Sequence, residues 1–171
     1  MRGLTPSPNL TVVTLGVGDV ARSAAFYERL GLTRRFRAAG DEVAFFEAGG
    51  VVLGLFGWDA LAEDAALAEH PRPLAFRGTT LAWNCNAPAE VDAVMAHALS
   101  VGATLLRVAG ATSYGGYRGY FADPDGHAWE VVQAPGIVVT ADGGSTFLIE
   151  DAMNVRPAFI SVRTGARCRR A

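Results

Sequence analysis

Glu130 is the residue whose type and position in this chain most suggest chemistry. It stands in the middle of the apolar run Ala128–Gln133, where strand alternation places Ala128, Glu130 and Val132 on one face. A lone carboxylate is costly to bury without a partner. Glu130 is therefore interpreted either as a site residue or as a residue on the rim of a sheet.

The strand of Glu130 follows a turn with strong sequence signals. The residues Asp-Pro-Asp-Gly, 123–126, separate it from the apolar run Tyr117–Ala122. Pro124 sets the backbone of the first corner, and Gly126 supplies the positive φ that closes a tight hairpin. The residues of the first strand that we expect near the site are Tyr117, Arg118 and Tyr120.

The other reactive residue types predict no metal ion and no cofactor. Of the three histidines, His70 precedes a proline loop, His97 lies within a predicted helix and His127 follows the turn. Each is interpreted as a surface or turn residue. Two cysteines do not make a disulfide framework.

The elements that must position Glu130 form a repeat. Two segments each predict a strand, a helix and three further strands, and Leu15–Val17 and Trp83–Cys85 occupy equivalent places 68 residues apart. We predict an α+β fold with a flexible N-terminus at residues 1–9, a first module with its connecting helix at 10–70 and a second module at 71–136. Residues 137–171 form a C-terminal extension whose end we expect to be disordered.

Local signals set the predicted boundaries. Asp19 is a good N-cap and Gly31 a good helix terminator. The predicted helices are Val20 to Gly31, Trp58–Glu69 and Pro88–Val101. The predicted strands of the two modules are Leu10–Val17, Leu32–Arg37, Val43–Glu47, Val51–Phe56, Thr79–Asn86, Ala103–Val108, Tyr117–Ala122 and Ala128–Gln133. The predicted strands of the extension are Ile137–Thr140, Thr146–Ile149 and Ala158–Val162.

Composition excludes several classes of protein. Half of the 171 residues are hydrophobic and 19% are charged, as in a globular domain. The formal net charge of −2 argues against a nucleic-acid partner. No apolar run approaches the about 20 residues of a membrane span, and no secretory signal pattern opens the chain. We therefore expect a cytoplasmic protein.

Two stretches resemble a known family. The pattern Phe-x-Asp-Pro-Asp-Gly-His-x-Trp-Glu, residues 121–130, preceded by Gly-Gly-Tyr, is similar to the closing hairpin of the glyoxalase/bleomycin resistance protein/extradiol dioxygenase superfamily, which has the vicinal oxygen chelate fold. Residues 13–32 are similar to its first strand and helix. The resemblance implies two tandem βαβββ modules that form a half-open, cup-shaped mixed sheet with the helices outside.

The resemblance also locates four positions at which metal-using relatives hold a divalent cation. They fall at Val12, at or beside Leu53, at or beside Thr80, and at Glu130. Only Glu130 keeps a side chain that could coordinate a metal, and one carboxylate with a hydroxyl is too few ligands for a tight site. The departure from the family pattern favours a site without a metal.

What remains is a cup lined by strand residues of one parity, with aromatic residues near its mouth. We predict an apolar pocket with a few polar anchors, in which Glu130 is a strong acceptor that selects ligands carrying a donor or a positive charge. The predicted ligand-binding residues are Val12, Thr14, Leu53, Leu55, Trp58, Thr80, Asn84, Tyr117, Arg118, Tyr120 and Glu130.

Two function classes stay open. One is a protein that sequesters a small planar or aromatic organic molecule without chemistry, as the bleomycin-resistance branch of the family does. The other is a lyase, isomerase or dioxygenase of the same superfamily that acts through Glu130, with or without a divalent metal. Because half-open cups leave sheet edges, we also expect a homodimer.

Overall fold

Two copies of one unit account for most of the fold. The computed structural model describes residues 9–37, 40–73, 75–141 and 143–147. The first unit consists of β1 (Val12–Val17), α1 (Val20–Leu30), β2 (Thr33–Arg35), β3 (Val43–Ala48) and β4 (Val51–Gly57), followed by α2 (Trp58–Asp64). The second consists of β5 (Thr80–Asn84), α3 (Pro88–Ser100), β6 (Thr104–Ala111), β7 (Tyr117–Ala122) and β8 (Ala128–Gln133), followed by β9 (Ile137–Val139) and β10 (Ser145–Phe147).

Each unit forms its own four-stranded mixed sheet. The strand orders are β1-β4-β3-β2 and β5-β8-β7-β6. In both sheets the first pair is parallel, while the other neighbours are antiparallel. The identical order confirms the internal repeat and the predicted α+β fold of two tandem βαβββ modules.

Helix α1 begins and ends where the sequence predicts. The side chain of Asp19 accepts a hydrogen bond from the backbone N–H of Arg22 at 2.9 Å, which satisfies one of the free donors of the first turn. Gly31 ends the helix with φ of 107°, a left-handed conformation that costs glycine little. The helix buries Ala24, Tyr27 and Leu30 against the sheets.

Helix α2 is shorter than predicted. The expected range Trp58–Glu69 ends instead at Asp64, six residues before His70 and the proline loop. Ala66 adopts φ of 55°, and the backbone N–H of Leu67 donates to Ala62 O at 2.9 Å. The chain therefore leaves the helical conformation before it reaches the prolines. Only Ala62 of this helix is buried, and a helix with so little packing gains little from further turns.

The two modules share one hydrophobic core. Leu55 and Phe46 of the first sheet and Phe121 and Val131 of the second are almost completely buried within a single cluster. The Phe121 and Trp129 rings stack with centroids 6.1 Å apart. A shared core explains why the repeat comes as a pair, since one module would leave this face uncovered.

The turn between β7 and β8 fastens the second module to the first. Its predicted closure is confirmed, because Gly126 N–H donates to Asp123 O at 3.0 Å and Gly126 has φ of 84°. The Asp125 carboxylate accepts from the backbone N–H of Gly18 at 2.8 Å, from Arg22 Nη2 at 2.6 Å and from Ser23 Oγ at 2.5 Å.

A second, buried set of hydrogen bonds reinforces this junction. The Tyr27 hydroxyl donates to Asp123 Oδ2 at 2.7 Å and accepts from Trp129 Nε1 at 3.1 Å. His127 Nε2 lies 2.9 Å from Gly16 O and contributes a further contact between the modules. The hairpin of the Glu130 strand therefore has a structural role besides any role in binding.

The described part of the C-terminal extension forms the β9–β10 hairpin. Asn86 holds it to the second module, because its Nδ2 donates to Val139 O at 3.2 Å and its Oδ1 accepts from Val139 N–H at 3.0 Å. The predicted strand Ala158–Val162 and the predicted disorder at the end of the chain lie outside the described residues, as does most of the predicted flexible N-terminus. None of the helices in the described ranges has the length and apolar character needed to cross a bilayer.

Candidate functional site

Strand register decides which residues face the cup. In a sheet, residues directly paired on neighbouring strands project to the same side. Val12 pairs with Val52 and Thr14 with Gly54, so these four residues share a face, which we call the cup face. The opposite face carries Leu15 and Val17 into the hydrophobic core.

The prediction that Leu53 and Leu55 share a face with Val12 and Thr14 is wrong. Leu53 pairs with Val13 and Leu55 with Leu15, and both leucines lie in the hydrophobic core with 3% and 0% of their surface exposed. The error is a shift of one residue, and in a strand such a shift turns every side chain to the other side.

The second sheet places several predicted residues on the cup face. Thr80 pairs with Ala128 and Ala82 with Glu130, so Thr80, Asn84 and Glu130 share that face. The pairs Val12–Val52 and Thr80–Ala128 are equivalent in the repeat, and two residues further along Gly54 therefore corresponds to Glu130. The second family position, predicted at or beside Leu53, falls at its neighbour Gly54.

Glu130 has a close partner across the sheet. It pairs with Tyr120, whose hydroxyl donates to Glu130 Oε1 at 2.6 Å. Burial, reinforced by the hydrogen bond and by the charge of Glu130, raises the pKa of Tyr120 to about 12. Tyr120 consequently stays protonated at neutral pH and acts as a donor to the carboxylate.

Arg118 lies beside Glu130 and Tyr120, but its side chain makes no hydrogen bond within the described ranges. Its Nη1 lies 3.5 Å from Glu130 Oε1, and its guanidinium lies 5.7 Å from the centre of the Tyr114 ring and 5.6 Å from that of Tyr120. Its Nε is fully buried and has no hydrogen-bond partner among the described residues. We call Tyr114, Arg118, Tyr120 and Glu130 the Glu130 cluster. The sequence placed Tyr114 among the aromatic residues near the cup but not among the predicted ligand-binding residues.

Tyr117 does not belong to this cluster, contrary to the predicted grouping. It precedes Arg118 and so projects from the other face of β7, where its hydroxyl donates to Asp92 Oδ1 of α3 at 3.0 Å. The hydrogen bond to Asp92 raises the pKa of Tyr117. Its position follows from the alternation of β7, which places only every second residue on the cup face.

Trp58 lies at the first sheet rather than beside Glu130. A Cβ built on Gly16 would come within 3.0 Å of Trp58 Cε3, so the glycine allows α2 to lie against the cup face of β1. The indole Nε1 donates to His70 O at 2.7 Å, and the Arg77 guanidinium stands 5.1 Å from the ring centre.

Two cavities flank the junction of the modules. The smaller, about 230 Å³, lies beside Thr14, Arg77 and His127, and Arg77 Nη1 is 2.9 Å from His127 Nδ1. The larger, about 590 Å³, is lined by Leu53, Trp83, Asn84 and Trp129 and is bordered by the β9–β10 hairpin. Leu53 therefore lines a cavity, but one that does not include Glu130. Sequence reasoning missed Arg77, which carried no motif, and treated His127 as a turn residue.

The donor set of the cup does not fit a metal ion. The four positions carry Val12, Gly54, Thr80 and Glu130, of which only the last has a charged ligand group. Across residues 9–37, 40–73, 75–141 and 143–147, no three His, Cys, Asp or Glu side chains come together in a way that could hold a metal. An aliphatic side chain and a glycine supply no electron pair for coordination.

Comparisons with known proteins agree with this fold. The family model described as Glyoxalase/Bleomycin resistance protein/Dioxygenase superfamily matches residues 9–131. The crystal structure of a glyoxalase-related enzyme from Fulvimarina pelagi is similar at 40% identity and a TM-score of 0.72, covering 82% of this chain and 99% of that one.

More distant structures share the fold. A glyoxalase/bleomycin resistance protein/dioxygenase from Nocardioides is 26% identical with a TM-score of 0.64, covering 76% of this chain and 86% of that one. A family enzyme from Burkholderia phytofirmans PsJN is 20% identical with a TM-score of 0.67, covering 74% and 98%. Among curated proteins, none matches the chain.

Proposed function

The chain belongs to the glyoxalase/bleomycin resistance protein/dioxygenase superfamily, and from that premise we propose that it binds a small planar or aromatic organic molecule in its cup without a metal ion. Its role would be sequestration in the cytoplasm, which the resemblance to the bleomycin-resistance branch implies. The protein would also confer resistance if the ligand is toxic.

The observation that carries this proposal is the chemistry of the four cup positions. Metal-dependent relatives need several ligand side chains there, whereas this chain offers Glu130 alone. Its Oε1 already accepts a hydrogen bond from Tyr120. A carboxylate held in this way is suited to anchoring a ligand through its remaining lone pairs.

The surroundings of Glu130 suit a flat molecule. The Tyr114 and Tyr120 rings supply aromatic surface, and 18% of the Glu130 side chain remains exposed. Thr80 and Ala82, on the same face of β5, are exposed and leave room above the sheet. A small aromatic compound can thus contact both the rings and a polar anchor.

Elemental analysis and one substitution test the proposal. The purified protein is expected to carry no near-stoichiometric Ni, Zn, Fe or Mn. The neutral probe 2-naphthamide should bind, and Glu130→Gln should weaken its binding by roughly 1–3 kcal/mol, because a carboxylate accepts the amide donor more strongly than a carboxamide does. Glu47→Gln is the matched control, since Glu47 pairs with Arg35 at the edge of the other sheet. A bound stoichiometric metal contradicts the proposal. So do equal affinities for 2-naphthamide in the wild type, Glu130→Gln and Glu47→Gln.

A second candidate is an enzyme in which Glu130 acts as a base. The 2.6 Å contact from Tyr120 favours it, because a positioned donor fixes the carboxylate for proton transfer at its other oxygen. The relative from Fulvimarina pelagi is itself named a glyoxalase-related enzyme. If Glu130→Gln abolishes turnover of a substrate at unchanged affinity, the enzyme is the correct alternative.

We also propose a homodimer. β6 forms an edge of the second sheet, and on it Leu106 and Val108 are 53% and 71% exposed. Exposed apolar residues on a sheet edge favour association with another copy. A light-scattering mass of 18.0 kDa, that of one chain, at micromolar concentration would show a monomer instead.

A further inference from the structure

Arg118 has more hydrogen-bonding capacity than its surroundings use. A guanidinium carries five N–H donors. In the described part of the chain the Arg118 side chain makes no hydrogen bond, and its closest charged contact is the 3.5 Å approach to Glu130. An arginine held among protein groups with its donors unused is poised for an acceptor that is not part of the chain.

Arg35 is an arginine of the same fold whose guanidinium is hydrogen-bonded to a carboxylate. Its Nε and Nη2 bond to the two carboxylate oxygens of Glu47 at 2.9 and 3.1 Å, a bidentate pair. Arg118 and Glu130 make no such pair, since the carboxylate oxygen nearest to Arg118 is taken by the Tyr120 hydroxyl. Arg118, the positive group in the cup, therefore has fewer hydrogen-bond partners than Glu130, the negative one.

The flanks of Arg118 restrict what that acceptor can be. The Tyr114 and Tyr120 rings lie at cation–π distances from the guanidinium, so a ligand bound to it would lie beside aromatic surface. A carboxylate matches the planar fork of a guanidinium and can accept two hydrogen bonds at once. A second cation close to Arg118 would be repelled.

We propose that the ligand of the cup is an aromatic carboxylic acid, with its carboxylate on Arg118 and its ring along Tyr120 or Tyr114. This deepens the proposed function and rests on it. It also revises the prediction that Glu130 selects a ligand with a positive charge, because that prediction treated Glu130 as the dominant polar group of the cup.

Three naphthalene probes of nearly equal size test the proposal. They are 2-naphthoate, 2-naphthamide and 2-naphthylmethylamine, titrated against the full chain at neutral pH by calorimetry and naphthalene fluorescence. Wild-type protein should bind 2-naphthoate roughly tenfold more tightly than the amide, because a charge-assisted bidentate contact replaces a neutral one. It should bind the amine most weakly.

Substitutions assign the preference to Arg118. Arg118→Met should abolish the preference for 2-naphthoate over 2-naphthamide, whereas Arg35→Met, which removes an arginine already paired with Glu47, should keep the preference. If Arg118→Met does not fold, as judged by circular dichroism, Arg118→Lys replaces it and should reduce the preference by losing the planar fork.

The possible failures are distinguishable. Equal affinity for the three probes, preference for the amine, or a preference for 2-naphthoate that the Arg118 substitution leaves unchanged would overturn the carboxylate inference while leaving binding in the cup intact. Failure of wild-type protein to bind any probe at about 5 mM, a concentration corresponding to very weak affinity, would overturn both this inference and the proposed function.

Discussion

Replacing Tyr27 by phenylalanine should lower the free energy of unfolding strongly, although it removes a single oxygen atom. The Tyr27 hydroxyl is completely buried and connects the two modules, since it donates to Asp123 and accepts from Trp129. Phenylalanine fills the same space, so packing is preserved and the hydroxyl's hydrogen bonds alone are lost.

The expected magnitude follows from the groups left behind. Asp123 is 3% exposed and keeps two backbone donors, those of Asp125 at 2.9 Å and His127 at 2.8 Å. Losing a third donor to a charged acceptor and stranding an indole N–H should together cost about 2–4 kcal/mol. For a chain of this size, that corresponds to a fall in melting temperature of roughly 5–15 °C.

The assay is urea unfolding followed by tryptophan fluorescence, with Tyr117→Phe as the matched control. Tyr117 also donates to a carboxylate, but the bond to Asp92 is exposed to solvent, which can replace it. Its loss should change the free energy of unfolding by less than about 1 kcal/mol. Equal costs for the two substitutions would refute the argument that the Tyr27 hydroxyl supports the junction of the modules.

The same tyrosine predicts a pH dependence. Burial, and then the charge of Asp123, raises the pKa of Tyr27 well above its ordinary value of 10.0. The folded protein therefore retains a proton that the unfolded chain releases, so this stabilisation is complete below pH 10 and is lost as pH rises above it. Tyr27→Phe should lose less stability than wild type over this alkaline range. Parallel alkaline curves for the two proteins would count against the assignment.

Two further predictions concern the site and the extension. Tyrosinate absorbance should show Tyr120 titrating near its raised pKa of about 12, with the signal assigned by its loss in Tyr120→Phe. Glu130→Gln should lower that pKa, while burial keeps it above 10.0. An unchanged pKa would mean that the Tyr120–Glu130 hydrogen bond is absent in solution. Asn86→Ala should speed hydrogen exchange at the Val139 amide, because that amide loses its acceptor. Asn84→Ala is the control and should leave the exchange rate unchanged. Equal protection of the Val139 amide in both variants would show that Asn86 does not hold the β9–β10 hairpin.

The sequence predicted those features that depend on local chemistry. The caps at Asp19 and Gly31 and the turn closed by Gly126 need only a side-chain oxygen or a tolerated positive φ at the right place. The repeat was also visible, because each module must alternate apolar residues in the same order to cover a shared core. These features depend on a few neighbouring residues, and so a single sequence contains them.

The faces of the strands were only partly predictable. Tyr117, Arg118 and Tyr120 were all expected near Glu130, and the structure pairs Tyr120 with it, because the hairpin sets the register of its two strands. Leu53 lies in β4, whose partner β1 is separated from it by a helix and two strands, and nothing local fixes that pairing. A register uncertain by one residue leaves the direction of every side chain undecided.

Tertiary structure alone decided how the charges of the cup are shared. From the sequence, Glu130 was the dominant acceptor, and Arg118 and Tyr120 were expected only as ligand-binding residues beside it. In the folded protein the Tyr120 hydroxyl donates to Glu130, while the Arg118 side chain lies beside two tyrosine rings without a hydrogen bond to any described residue. Hydrogen bonds extend over only about 3 Å, so which group is satisfied and which remains available depends on positions that become fixed only when strands and loops have packed together.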